Sequence, residues 1–595
     1  MSTYRVWRRI CPKDFPQYQD SHHIQQIIYK TSAFFIVAST LILLPCIASA
    51  QSPPPPGVNI PPNTPEIIDQ TLPQPTPSPS PPIPAAPSPI LPEPTQKPPD
   101  LTFPTTETFF VKKIEVLGST VLQDEITKLT QPLENRTLTF ADLLQLRSDI
   151  TELYIEKGYV TSGAFLPYQY IKDNIIVQIQ VVEGELEKIE LRGLDRLQPG
   201  YVRSRLELAA STPLNQKRLE EALQLLQLDP LISRVNAQLT AGSKPGFNIV
   251  QVQVQEAPAF YAGITSNNRQ SPSVGSEQIS VFIGHDNLLG FGDSLSGTYG
   301  ITEGLNLYDI SYSIPINRRN GDVSFRYDNT DSRIIEDDFR DIKIRSETET
   351  FSVTIRQPLY RKPSTEFALG LALDLRRSQT FILDDIPFSF SEGPDNGESN
   401  VTVIRFFQDW VDRNATRVFA ARSQFNLGID AFDATVNNEA PDGRFLSWLG
   451  QFQWVQRLSS RNLFLLRLNT QLTSDSLLSI ERFSVGGVDT VRGYRQNQLV
   501  ADNGITASAE VRIPLTANTN TLQIAPFFDI GTAWNNGGTN PDPQTIASLG
   551  LGLISQPSNP WNLRLDYGIP LISVDDSGNT LQDNGLYFSL QYQPF

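Results

Sequence analysis

Two charged residues stand out by type and position: an arginine in a Gly-rich stretch and an aspartate in an apolar one. Arg492 lies in FSVGGVDTVRGY (483–494), and Asp529 lies in Phe527-Phe528-Asp529-Ile530-Gly531, 529 − 492 = 37 positions on. Both belong to a C-terminal half made of alternating strand-like segments. An unpaired charge in a membrane barrel is costly, so a cation on a loop and an anion on a strand are expected to find each other. The chemistry expected of them is an ion pair tying a loop to a barrel wall.

Other chemistry is poorly supplied. The formal net charge of −16 over 595 residues argues against nucleic acid as a partner. Cys11, Cys46 and Met1 all lie in the first 50 residues. There Lys30 precedes the apolar run Ala33 to Leu44, which ends in Ala48-Ser49-Ala50. This pattern predicts a signal peptide over 1–50, cleaved after Ala50. The mature chain then has no sulfur, hence no disulfide, thiolate nucleophile or Cys-bound metal. His22 and His23 are lost with the signal and only His285 remains, which removes a histidine metal site or triad. No GxxxxGK[ST] loop is present, so no nucleotide is expected. We therefore expect no catalytic residues, no metal, no cofactor and no enzymatic activity.

The elements that must position Arg492 and Asp529 follow from patterning. Residues 51–104 form a Pro-rich linker; residues 51–100 hold 20 of the 46 prolines and read as a polyproline-type spacer with no core. An internal repeat follows. Lys113-Ile114-Glu115-Val116-Leu117-Gly118 is echoed 75 positions on by Lys188-Ile189-Glu190-Leu191-Arg192-Gly193. Ile176–Val181 is echoed 73 positions on by Ile249–Val254. Two copies of one small β-α-α-β-β domain are predicted, over 105–183 and 184–258.

From 259 to 595 the pattern becomes alternation in segments of about ten residues between polar or Gly-rich turns. Ile505, Ala507, Ala509, Val511 and Ile513 share one face, with Thr506, Ser508, Glu510 and Arg512 on the other. Such dyads predict a barrel with lipid outside and water inside. Sixteen candidate strands start near 259, 277, 293, 305, 320, 347, 364, 401, 415, 445, 461, 504, 521, 545, 560 and 585. The chain ends on the aromatic strand LYFSLQYQPF.

Four features taken together carry a family resemblance. They are the two repeats, the turn Asp286-Asn287-Leu288-Leu289-Gly290-Phe291-Gly292-Asp293, the loop Val491-Arg492-Gly493-Tyr494, and the segment Phe527–Gly531. Over roughly 105–595 the chain resembles the outer-membrane transporters of two-partner secretion, of the haemolysin secretion/activation type. Their superfamily includes the outer-membrane protein assembly factors and the chloroplast import channel. The resemblance implies an α+β then all-β fold: two tandem POTRA domains in the periplasm, then a 16-stranded transmembrane antiparallel β-barrel in the outer membrane.

It further implies that the VRGY loop folds back into the lumen and that Arg492 meets Asp529. Phe527 and Gly531 would complete the wall motif, while Gly493 and Tyr494 shape the loop tip. The DNLLGFGD turn is expected to be a purely structural tight turn. Many family members plug the pore with an N-terminal helix. Residues 58–70, opening Val58-Asn59-Ile60-Pro61-Pro62, do not read as a good helix, which speaks against a plug here.

The implied function is a monomeric protein-conducting pore that exports an unfolded partner exoprotein, bound by the POTRA domains. An assembly factor that inserts other barrels is the alternative, though two repeats are fewer than bacterial assembly factors typically carry. A passive porin would leave the repeats without a role.

Overall fold

The computed structural model describes residues 58, 60–61, 64–71, 90–91, 108–170, 175–519, 521–557, 560–574 and 578–595. The expected signal peptide and most of the Pro-rich linker fall outside them. Helix α1 (Thr64–Thr71) is the first described element.

The first repeat is β1 (Thr108–Leu117), α2 (Gln123–Thr130), β2 (Arg136–Thr139), α3 (Phe140–Glu156), β3 (Gly163–Phe165) and β4 (Ile175–Val182). Its sheet has the order β2-β1-β4-β3, with β1 and β4 parallel. Helix α3 starts where it does because Thr139 and Asp142 form a capping box: the Asp142 N–H donates to the Thr139 hydroxyl, and the Thr139 N–H donates to the Asp142 carboxylate at 2.7 Å. Leu143, Leu146, Ile150 and Tyr154 form its buried stripe. Strand β2 was not anticipated. It spans only Arg136–Thr139, too short for an alternating pattern to show.

The second repeat is β5 (Glu185–Arg192), α4 (Pro199–Leu206), α5 (Gln216–Gln227), β6 (Ile232–Ala241) and β7 (Phe247–Glu256), with sheet order β5-β7-β6. Asn215 caps α5 by accepting from the Lys217 and Arg218 N–H groups, and Leu219, Leu223 and Leu226 face the core.

Among the described residues, sixteen antiparallel strands then close into a barrel. The first eight are β8 (Phe260–Asn267), β9 (Gln278–His285), β10 (Ser294–Ile301), β11 (Leu305–Pro315), β12 (Asp322–Arg333), β13 (Arg345–Arg361), β14 (Thr365–Ile382) and β15 (Glu398–Arg413). The rest are β16 (Arg417–Ile429), β17 (Leu446–Arg457), β18 (Leu463–Thr473), β19 (Asn503–Pro514), β20 (Leu522–Trp534), β21 (Thr545–Ser555), β22 (Trp561–Pro570) and β23 (Leu586–Tyr592). Closure comes from β23 pairing with β8, from Ser589 opposite Asn267 to Tyr592 opposite Ile264. Along β9, Ile279, Val281 and Ile283 face outward and are exposed, while Gln278 and Ser280, alternating with them, are buried inside. That alternation is what lipid outside and a polar lumen require. No helix among the described residues is long and apolar enough to cross a membrane.

The turn Asp286–Asp293 does more than join β9 to β10. The Gln198 N–H donates to the Gly290 carbonyl at 2.9 Å, and Arg196 Nη2 donates to the Leu288 carbonyl at 3.2 Å. A Cβ on Gly292, at φ +80°, would lie 2.5 Å from the Tyr201 ring. This turn is therefore also a joint between the barrel and the second repeat, and its glycine permits the close approach.

Helix α1 corrects the expectation for residues 58–70. It does form, and it packs at the end of the barrel away from the repeats. Ile67 and Ile68 are buried with Val401 and Val403 of the wall and with Phe388, Phe390, Leu477 and Leu478 of the loops. The prolines do not oppose the helix, because Pro61 precedes it and Pro65 falls in its first turn, where no N–H is needed. The Thr64 hydroxyl donates to the Pro61 carbonyl at 2.6 Å and fixes the entry. Ile68→Asp would bury a carboxylate among apolar groups and should expel α1. The expected outcome is a higher single-channel conductance in planar bilayers with an unchanged barrel signal by circular dichroism.

Candidate functional site: the loop inside the barrel

Residues 474–502 join β18 to β19 at the end opposite the repeats. Within this loop Phe483–Val485 pairs with Leu499–Ala501, so it enters the barrel as a short hairpin. Gly486 and Gly487, at φ +119° and +90°, make the turn from the hairpin into its tip possible. The tip carries Val491, Arg492, Gly493 and Tyr494 and lies midway along the wall.

There Arg492 meets Asp529 of β20. Its Nε donates to Oδ2 at 2.7 Å and its Nη2 to Oδ1 at 2.9 Å, a two-pronged fork. The Arg492 backbone N–H adds a third bond to Oδ2 at 3.2 Å. Arg492 is 4% exposed and Asp529 0%.

The site is larger than one pair. Arg492 Nη1 also donates to Glu510 of β19 at 2.8 Å and to Asp566 of β22 at 3.2 Å. Arg564 bridges the same two acids, with Nη2 to Glu510 at 2.7 Å and Nε to Asp566 at 2.6 Å, and Arg512 Nε reaches Glu510 at 2.8 Å. Inside a low-dielectric wall, such a set is stable only because nearly every donor and acceptor has a partner. Glu510, Arg512, Arg564 and Asp566 were missed as site residues. Alternation already placed Glu510 and Arg512 on the lumen face, and that was the available signal.

The flanking motif residues have steric roles. The Phe527 ring lies under the guanidinium, 3.3 Å from Cζ. Phe528 and Ile530 point out and are exposed. A Cβ on Gly531 would lie 3.0 Å from Val491 Cγ2, so this glycine makes room for the loop. The Tyr494 hydroxyl lies 2.8 Å from the Ala547 carbonyl and 2.9 Å from the Ile572 carbonyl, with its one proton between them. The Gly493 N–H donates to the Tyr587 hydroxyl at 3.0 Å, and that hydroxyl donates to the Tyr494 carbonyl. Gly568 was not anticipated: its missing side chain lets β22 touch the tip, since a Cβ there would lie 2.6 Å from Gly493 N.

A second anchor has the opposite polarity. Glu481, 2% exposed, accepts from Arg376 of β14 at 2.7 Å and from Arg405 of β15 at 2.9 Å. These strands lie across the lumen from β20–β22 in the barrel order. Next to it, Arg482 Nη1 donates to Asp69 of α1 at 2.9 Å. The loop is thus held by its cation on one wall, by its anion on another, and is tied to α1. Among the described residues, no group of His, Cys, Asp or Glu is arranged to hold a metal ion.

Comparison with known proteins agrees with this architecture. A family model described as haemolysin secretion/activation protein ShlB/FhaC/HecB matches residues 246–554, and one described as POTRA domain, ShlB-type, matches 109–184. The outer membrane transporter CdiB of Dickeya dadantii is 23% identical over 471 residues, covering 75% of this chain and 79% of that protein. The heme/hemopexin transporter protein HuxB of Haemophilus influenzae is 22% identical over 448 residues, covering 72% of this chain and 76% of its own. The solved structure of CdiB from Escherichia coli, at 21% identity, has the same fold, with a TM-score of 0.65 over 84% of this chain and 93% of that one.

Two substitutions separate charge from fit. Arg492→Lys keeps the charge but loses the planar fork that holds both Asp529 oxygens. Gly568→Ala changes no charge but pushes the tip away. Both should leave the barrel closed and make loop 474–502 cleavable by protease added from outside. A loop as resistant as wild type in either variant would deny that role.

Proposed function

We infer the function of this chain from one premise: it belongs to the haemolysin secretion/activation protein family. It is an outer-membrane transporter of two-partner secretion, with its POTRA domains in the periplasm. We propose the following mechanism. The client arrives unfolded, is caught by the POTRA domains, and passes through the barrel once the Arg492 tip leaves Asp529. The single chain closes its own barrel, which supports a monomeric pore sitting directly in lipid, and the chain carries out no chemical step.

The observation that carries this reading is the fork between Arg492 and Asp529 inside a closed barrel. Such a pair is strong while dry and weak when wetted, because attraction between charges falls as the surrounding dielectric rises. A polar, hydrated client entering the lumen would weaken the lock that it must displace. No bound nucleotide is invoked; folding of the client outside supplies direction.

Capture has a natural location on the second repeat, hereafter POTRA 2. Among the described residues, β6 lies at an edge of its sheet and pairs only with β7, so an added strand could extend it. Close by, the chain's own Ile90 and Leu91 donate backbone N–H groups to the Glu220 carboxylate of α5 at 2.7 and 2.9 Å, and Leu91 joins the domain core. An extended apolar segment of the client would compete for the same contacts.

Arg492→Ala tests the transport role. The expected outcome is a correctly inserted barrel, seen as the wild-type heat-dependent gel shift, with secretion of the partner exoprotein reduced at least about ten-fold. Secretion at the wild-type rate would remove the assigned role of the loop. Deleting the protein should abolish one exoprotein and leave other outer-membrane barrels at normal levels, which separates export from barrel assembly.

A further inference from the structure

A groove of about 430 Å³ runs between POTRA 2 and the periplasmic rim of the barrel, within the size range of small-molecule sites. One side is built by α4, α5 and the segment between them, the other by the turn after β11 and the last residues of β13. Among the described residues, five arginines line it: Arg205, Arg218, Arg318, Arg319 and Arg361. Arg361 is already paired with Glu366 at 3.1 Å, and of the two carboxylates that share the lining Asp229 also acts on the charge of Arg205. Asp229 accepts from the Tyr201 hydroxyl at 2.8 Å, and Glu221 faces Lys362 at 3.8 Å. On a chain of net charge −16, this is a local excess of cation.

The deepest of these arginines has an unused donor. Arg205 Nε donates to Asn320 Oδ1 at 2.8 Å and Nη1 to the Tyr201 carbonyl at 2.9 Å, while its Nη2 is buried and makes no hydrogen bond. The guanidinium lies over the Tyr201 ring at 3.4 Å. A buried donor without an acceptor is costly, and a small outward shift of this side chain toward an anion in the groove would relieve it. Burial also pulls the Arg205 guanidinium below its ordinary value, a strain of the same sign. At the mouth, Arg318 and Arg319 are exposed and form no ion pair with any described residue.

Part of the remaining lining is apolar and exposed. Leu359 and Tyr360, at the periplasmic end of β13, are exposed on the outer wall where a barrel meets the interfacial region of a bilayer. Leu208 of POTRA 2 is exposed opposite them. A soluble anion would use the arginines and leave this apolar flank bare.

We propose that this groove binds the headgroup of an anionic phospholipid from the periplasmic leaflet, its phosphate on Arg205, Arg318 and Arg319 and its upper acyl chain along Leu359 and Tyr360. The lipid would brace POTRA 2 against the rim and fix the angle at which a client meets the barrel mouth. The site is separate from the Arg492 lock, and the proposal stands or falls independently of secretion.

The test uses the full-length protein in neutral detergent, titrated with phosphatidylglycerol or phosphatidylcholine and read by native mass spectrometry. The wild type should retain one phosphatidylglycerol at about ten-fold lower concentration than phosphatidylcholine, since each basic residue near a lipid surface is worth about 1 kcal/mol. Arg318→Ala with Arg319→Ala removes two exposed side chains, so folding should survive, and the preference should vanish. Arg318→Lys with Arg319→Lys should keep most of it. Arg333→Ala with Arg340→Ala, which removes the same charge at the opposite end, should change nothing. Equal retention of the two lipids, an unchanged preference in the Arg318→Ala, Arg319→Ala variant, or displacement of phosphatidylglycerol by millimolar inorganic phosphate would overturn the proposal, the last by showing a site for free anions only.

Discussion

A guanidinium shut inside a closed barrel must find hydrogen-bond acceptors, and this constraint organises the interior. Arg492 finds them in Asp529, Glu510 and Asp566, carried by three strands of one wall. The acids in turn need cations, which Arg564 and Arg512 supply. Removing Arg492 takes from Asp529 the cation that compensates it, so loop tip and wall behave as one polar unit. The flanking motif residues follow from the same need: Phe527 gives the guanidinium a face to lie on, and Gly531 and Gly568 clear space for the backbone that delivers it.

The loop is held from both sides. Its cation rests on the β19–β22 wall and its anion, Glu481, on Arg376 and Arg405 across the lumen. Arg482 extends the chain of contacts to Asp69 of α1. Loop and helix thus share one polar network, and a change that wets the lumen acts on all its links at once. At the other end, the Asp286–Asp293 turn joins barrel to POTRA 2 through one backbone hydrogen bond, Gln198 N–H to the Gly290 carbonyl, and one from the Arg196 side chain. An event on the POTRA domains therefore has a short mechanical route to the barrel rim.

Much of this was legible in the sequence, for physical reasons. Alternation in the barrel region is strict because lipid and water enforce it, and every candidate strand start lies within three residues of an observed one. The paired repeats were visible because β4 and β7 alternate cleanly between Val or Ile and Gln. Helix α1 escaped notice because its neighbouring prolines read as breakers, yet they fall where a helix tolerates them. Its stability comes from burying Ile67 and Ile68 against distant residues, which local pattern does not encode. Glu481, Arg376 and Arg405 escaped for a related reason: each is an ordinary charge in its own segment, and only barrel closure brings them together.

The central claim is that Arg492 and Asp529 stabilise one another in the folded barrel. A double-mutant cycle measures this directly: Arg492→Met, Asp529→Asn and both together, each followed by urea unfolding of the full-length protein in lipid vesicles. A desolvated, two-pronged pair predicts a coupling energy of about 2–5 kcal/mol, with the double variant less destabilised than the two single ones summed. Additive effects, agreeing within about 0.5 kcal/mol, would mean that the two groups do not depend on each other and would contradict the account.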